Sequence, residues 1–232
     1  MTEQLSLVHM IREPARGSNP AGARPPLLLL LHGVGSNERS MAALAPAFDP
    51  RFLVVSARSP LTLGLDAFGW FHVTFSAEGP VINGAEAAAG WAHVARFIDE
   101  TVRAYGADAA RVYLAGFSQG GIMALATLLT SPARIAGAVT MSGRLLPEVL
   151  PHTAPVASLR EKPLLILHCV ADEVLGVHFA RDARKRLASL PIALTYAEFP
   201  MGHQVTPESL AAASSWLTAL LDRAPAPAPV RL

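Results

Sequence analysis

The chain has 232 residues, 51% of them apolar and 16% charged, enough for a core that hides about 70–75% of the unfolded surface. The 19 Lys and Arg nearly cancel the 18 Asp and Glu, so a net charge of +1 leaves no electrostatic footprint for nucleic acid. The single cysteine, Cys169, excludes an internal disulfide framework and a multi-cysteine metal site.

The first residues, Met1-Thr2-Glu3-Gln4, do not combine a basic region with an apolar stretch, so a secretory signal is not expected and a cytoplasmic location is. Residues 5–11 read as an antiparallel edge strand. An apolar run follows at 25–31, far short of the ~20 residues that a spanning helix needs, so stable membrane insertion is not expected. Its core, 27–32, comes directly after Pro25-Pro26 and ends at Gly33-Val34-Gly35, which suits a strand better than a helix. Further strand-like runs lie at 52–56, 111–116, 136–141, 164–168 and 193–199. None alternates strictly, as expected of strands buried on both faces of a mostly parallel sheet.

Helical patterns separate these runs. Asn83 is a plausible N-cap for 84–105, where Ala88, Trp91, Val94, Ala95, Ile98 and Val102 form an apolar face and Gly106 supplies the stop. Residues 119–129, 177–190 and 207–221 follow the same logic. The alternation predicts an α/β fold, with a mostly parallel central sheet and helices on both faces. Residues 57–82 form a long connection without a clear helix, carrying Trp70, Phe71 and Phe75, and loops of that length are often functional. Ala and Pro alternate over 224–229, where every second residue lacks an amide hydrogen. Residues 223–232 therefore read as a Pro/Ala-rich disordered tail, and 1–222 as a single domain.

The chemistry centres on Gly116-Phe117-Ser118-Gln119-Gly120, between a predicted strand and a predicted helix. A sharp turn there brings the two glycine positions together and projects the serine hydroxyl at a helix N-terminus, where developing negative charge is favoured. A serine hydroxyl is a weak nucleophile and needs a base oriented by a carboxylate. In this strand order the acid and then the histidine should follow Ser118, each just after a strand. Of the later histidines, His152 lies in a proline-flanked loop, His168 precedes the acid candidates and His178 opens a helix. His203, in Pro200-Met201-Gly202-His203-Gln204, fits. Asp172 lies four residues past the strand end at His168, with Glu173 its nearest rival. Asp182 sits within a helix, four residues before Arg186, and reads as a solvated pair.

An oxyanion hole needs two backbone N–H donors, and His32-Gly33-Val34-Gly35-Ser36 follows a strand where this architecture places one of them. Val34 N–H and Gln119 N–H are the expected pair. A phosphate-cradling loop is disfavoured, because no lysine follows in the required pattern. His32 itself reads as ordering the loop. Arg58 would suit a substrate carboxylate but is left outside the site, and Cys169 reads as a buried inert thiol.

Leu31-His32-Gly33-Val34-Gly35, Trp70-Phe71, Gly116-Phe117-Ser118-Gln119-Gly120-Gly121, Ala171-Asp172-Glu173-Val174 and Gly202-His203 together resemble the phospholipase/carboxylesterase family, small α/β-hydrolases that include the acyl-protein thioesterases. The resemblance runs from about residue 26 to 220. It implies the α/β-hydrolase fold and serine hydrolase activity on small-molecule esters or thioesters, with no metal or cofactor. It also implies Ser118 as nucleophile, Asp172 as acid, His203 as base, and Val34 and Gln119 as the backbone donors. Trp70 and Phe71 are the candidate substrate-binding residues. The chain departs from the family where Cys169 replaces a usual glycine, Gly176 a usual proline and His72 an acidic residue.

The leading expectation is a carboxylesterase for small or medium acyl chains. A thioesterase or lysophospholipase acting on long chains, and a non-catalytic apolar-ligand module on the same fold, are the competing classes. Self-association into a homodimer is left open.

Overall fold

Five consecutive leucines, Leu27–Leu31 (β2), are all fully buried, because successive side chains of a strand point to opposite sides and both sides of this strand are covered. Leu27, Leu29 and Leu31 join one core, whereas Leu28 and Leu30 join another. The fold is taken from a computed structural model describing residues 5–76 and 79–223, the Phe75 side chain excepted.

The same division holds across a seven-stranded sheet, its first strand excepted. Beside β2 lie His9–Arg12 (β1), Leu53–Ala57 (β3), Val112–Phe117 (β8), Gly137–Met141 (β9), Pro163–Cys169 (β10) and Ala193–Phe199 (β11). Their order is β1-β3-β2-β8-β9-β10-β11, and every pairing is parallel except the antiparallel edge pair β1–β3. Gly84–Tyr105 (α2), Gln119–Thr130 (α3) and His178–Leu187 (α4) supply buried residues to one core, and Glu38–Ala42 (α1) and Pro207–Leu221 (α5) to the other. This is the α/β-hydrolase arrangement, with helices on both faces of a mostly parallel sheet.

Local chemistry sets the helix ends. The Asn83 side chain accepts the Ala85 and Glu86 N–H groups at the start of α2, and Gly106 closes that helix at φ 63°, a left-handed conformation. Thr206 and Ser209 form a reciprocal capping box at the start of α5. The edge strand begins later than expected, at His9, while Leu7 turns into the core.

Among the described residues the 57–82 connection has no helix, but it is not irregular. Leu61–Gly64 (β4) pairs with Ala67–Gly69 (β5), and Val73–Ser76 (β6) with Gly79–Ile82 (β7), as two antiparallel hairpins. Strands of three or four residues are too short for periodicity to reveal. The expected tail falls almost wholly on residues 224–232, which lie outside the described residues.

Candidate active site

Ser118 stands between β8 and α3 with φ 54° and ψ −120°, outside the regions an L-residue adopts freely. Two glycines make the turn sterically feasible. A Cβ on Gly116 would fall 2.1 Å from the Gly120 carbonyl oxygen, and one on Gly120 would fall 2.0 Å from the Leu31 carbonyl oxygen. The neighbouring strand holds the turn from below, since the Ser118 N–H donates to the Met141 carbonyl at 2.8 Å.

His203 reaches this serine from a loop 85 residues further along, with Nε2 2.9 Å from Ser118 Oγ. Its Nδ1 lies 2.6 Å from Asp172 Oδ2. A carboxylate only accepts, so in the neutral imidazole Nδ1 carries the proton and Nε2 is left to accept from the serine hydroxyl. The Phe117 ring packs against the imidazole with centroids 4.8 Å apart. The Asp172 side chain is wholly buried, and its second oxygen accepts the Val174 N–H at 2.9 Å and the Leu175 N–H at 2.7 Å. Glu173, the rival acid, is exposed.

His168 stands behind Asp172, its Nε2 3.6 Å from Oδ2, too far for a hydrogen bond. That nitrogen instead lies 2.7 Å from the Leu175 carbonyl, to which it donates. Its Nδ1 is buried with no partner among the described residues. Burial pulls its pKa below the ordinary value. His168 therefore secures the turn whose amides hold Asp172.

The loop after β2 lies directly against the serine. His32 is fully buried. Its Nδ1–H donates to the Gly33 carbonyl at 2.7 Å, and its Nε2 accepts the Ser59 N–H at 3.0 Å. Acceptance at Nε2 requires the neutral ring, and burial lowers its pKa in keeping. The Val34 N–H meets no acceptor among the described residues. Gln119 opens α3, so its N–H belongs to the first turn, which has no carbonyl partner within the helix.

A cavity of about 440 Å³ opens over the serine, within the range of small-molecule sites. Val34, Phe71, Ser118, Gln119 and His203 line it, together with apolar side chains such as Val73, Ile82 and Ile122. Trp70 does not. It is 1% exposed, and its indole N–H donates to the His32 carbonyl at 3.0 Å, behind the loop after β2 rather than in the cavity wall. Its polar edge found a buried partner, which a linear reading cannot foresee. Arg58 is engaged as well: its Nε and Nη2 donate to the two carboxylate oxygens of buried Glu38, each at 2.6 Å.

Two residues of this site were not singled out for the roles they have here. The Gln119 side chain spans 49 residues to accept the Trp70 N–H at 2.7 Å and donates to the Phe71 carbonyl at 2.7 Å. Arg144 reaches the cavity from the loop after β9. No local pattern marks either, because both depend on contacts between distant segments.

The profile of a family described as Phospholipase/Carboxylesterase matches residues 16–221. Acyl-protein thioesterase 1 of Neurospora crassa is 28% identical over 229 residues, covering 86% of this chain and 93% of the relative. Esterase YpfH of Escherichia coli is 33% identical over 171 residues, covering 70% and 68%. Among solved structures, a carboxylesterase of Bacillus cereus superposes with a TM-score of 0.75 at 20% identity, covering 93% of this chain and 95% of that one, a likeness of fold.

Proposed function

Because the chain belongs to the phospholipase/carboxylesterase family, we propose that it cleaves carboxylic esters with Ser118 as nucleophile, His203 as general base and acid, and Asp172 as the carboxylate that orients the histidine. The reading is carried by one observation, the continuous hydrogen-bonded chain from Asp172 Oδ2 through His203 to Ser118 Oγ.

The Ser118 Oγ attacks the ester carbonyl carbon while His203 Nε2 takes its proton. The new C–O bond pushes the carbonyl electron pair onto oxygen, where the Val34 and Gln119 N–H groups receive it. Donors held in place by the fold need no reorganisation as charge develops, and losing one such donor typically costs about 3 kcal/mol in the barrier. The tetrahedral intermediate collapses, the bond to the alcohol oxygen breaks, and the proton on His203 passes to that oxygen. Water then attacks the acyl-enzyme, gives a proton to Nε2, and the acid leaves as the proton returns to Ser118. Buried Asp172 keeps the proton of the neutral imidazole on Nδ1 and stabilises the imidazolium formed in each half-reaction.

The apolar lining and the roughly 440 Å³ volume suit small or medium acyl chains. Thioesters are open to the same attack, since the leaving group changes and the catalytic groups do not. The proposal takes residues 1–222 as one hydrolase domain. Among the described residues no helix is long and apolar enough to cross a membrane, and a cytoplasmic location belongs to the same reading.

The test is covalent labelling with a fluorophosphonate, alongside a series of esters of increasing acyl length. Labelling at Ser118, abolished in Ser118→Ala together with ester hydrolysis, is the expected result. Full hydrolysis by a folded Ser118→Ala protein would overturn the assignment, and absence of both labelling and turnover in the wild type would favour a binding module.

A further inference from the structure

Apart from His203, Arg144 is the one ionisable side chain among the described residues lining the cavity over Ser118. It is half-buried, and its Nη2 donates to the Pro80 carbonyl at 3.3 Å. The guanidinium carbon sits 5.3 Å from the centroid of the Phe179 ring. Among the described residues no carboxylate comes within ion-pair distance of it, and Glu148 acts on it only through its longer-range field. Other arginines of the chain are engaged: Arg51 with Asp49 and Asp222, Arg58 with Glu38, Arg181 with Glu198.

A guanidinium offers five N–H donors in a rigid fork, and Arg144 gives one to a carbonyl at a long distance. Holding a cation that has no ion-pair partner among the described residues against an apolar wall costs free energy, and burial accordingly lowers its pKa. An incoming carboxylate would offset that cost by supplying the missing charge and two acceptor oxygens.

The placement suits a substrate anchored at Ser118. Arg144 follows Met141, whose carbonyl accepts the Ser118 N–H, by three residues, a chain reach of at most about 11 Å. Between them, Gly143 packs on the first turn of α3: a Cβ there would stand 3.1 Å from Gly121 C and Ile122 N.

We propose that Arg144 binds a carboxylate carried by the substrate itself, so that this cavity selects half-esters of dicarboxylic acids, or esters of hydroxy acids, over uncharged esters of the same shape. The proposal rests on the reading of Ser118 as nucleophile and adds the substrate class. Two sources of the carboxylate, the acyl part and the leaving alcohol, share this chemistry.

The experiment compares kcat/KM for monomethyl adipate, for an acetate ester of a hydroxy acid, and for the uncharged branched-alkyl counterpart of each. At least one charged ester should exceed its counterpart by about 10- to 100-fold, the range of a charge-assisted pair, chiefly through KM. Whichever pair shows the preference identifies the source. In Arg144→Gln the charged-to-uncharged ratio should collapse to about one, and Arg144→Lys should restore part of it. A ratio near one in the wild type, or an undiminished ratio in Arg144→Gln, overturns the proposal. So does equal loss on both members of each pair in Arg144→Gln, which marks a purely structural strap between Pro80 and Phe179.

Calorimetric titration of the Ser118→Ala protein with adipate gives a readout independent of turnover. Saturable binding that is lost on adding Arg144→Gln supports the site, and absent or Arg144-independent binding overturns it. Should no ester be hydrolysed while adipate still binds through Arg144, the nucleophile assignment fails and the carboxylate site stands.

Discussion

The Trp70 N–H donates to Gln119 Oε1 at 2.7 Å, so the residue following Ser118 also grips the segment that builds one wall of the cavity. The grip is two-handed, since Gln119 Nε2 donates to the adjacent Phe71 carbonyl. In Gln119→Ala both backbone groups lose their partner while buried, at about 1–3 kcal/mol each. Urea unfolding should show a loss of about 2–6 kcal/mol, with ester turnover falling alongside. Gln119→Glu should fare little better, because a carboxylate oxygen would then face the Phe71 carbonyl. A stability change below about 1 kcal/mol in both variants would show the clamp to be incidental.

Backbone strain at Ser118 gives a second expectation. At φ 54° and ψ −120° a residue with a Cβ is held at a cost of about 1–3 kcal/mol. Alanine inherits that cost and glycine escapes it, minus about 0.5–1 kcal/mol for the added freedom of the unfolded chain. Ser118→Gly should therefore unfold at higher urea than Ser118→Ala, by about 1 kcal/mol, with both inactive. Equal midpoints would mean that the turn is not strained.

Asp172 and Glu173 are neighbours with opposite fates, one buried on His203 and the other exposed. Asp172→Asn keeps the shape but offers an amide to a nitrogen that needs an acceptor, and the imidazole is free to take the wrong tautomer. A loss of about 10⁴ in kcat is expected, the scale seen when a triad carboxylate becomes an amide. Glu173→Gln should stay within about twofold of wild type. The reverse pattern would move the acid to Glu173.

What the sequence disclosed follows from how far apart the interacting residues lie. The runs of apolar residues that became β2, β3, β8, β9 and β10 were legible because strands covered on both faces carry their signal locally, and the half-buried edge strand β11 was legible from its own short run. Chain order and strand ends were enough to pick out Ser118, Asp172 and His203, and the fold brings the three into one hydrogen-bonded chain. Helix α1, five residues long, is too short to show a 3.6-residue period, and the hairpins of 57–82 are too short to show alternation. The destinations of Trp70 and Arg58 were hidden because each is fixed by a partner 20 or more residues away: His32 holds the indole and Glu38 the guanidinium.

Acid should weaken the fold before most carboxylates titrate. His32 and His168 are buried as neutral rings, and burial lowers the pKa of each from the ordinary value of about 6.5. The unfolded chain therefore binds more protons than the folded one as pH drops below that value. Stability is fully present above about pH 6.5 and is lost as pH falls toward the folded-state pKa values. For His32 the structural reason is direct: a proton on Nε2 would confront the Ser59 N–H that it now accepts, and would loosen the loop carrying Val34. For His168 the second proton would go to a buried Nδ1 that has no acceptor among the described residues. Urea midpoints measured at about pH 7.5 and about pH 5.5 should fall on acidification in the wild type. His168→Gln should lower the midpoint at the higher pH while reducing the fall between the two, and His32→Asn should do the same. If both variants lose as much on acidification as the wild type, these two histidines do not control the response.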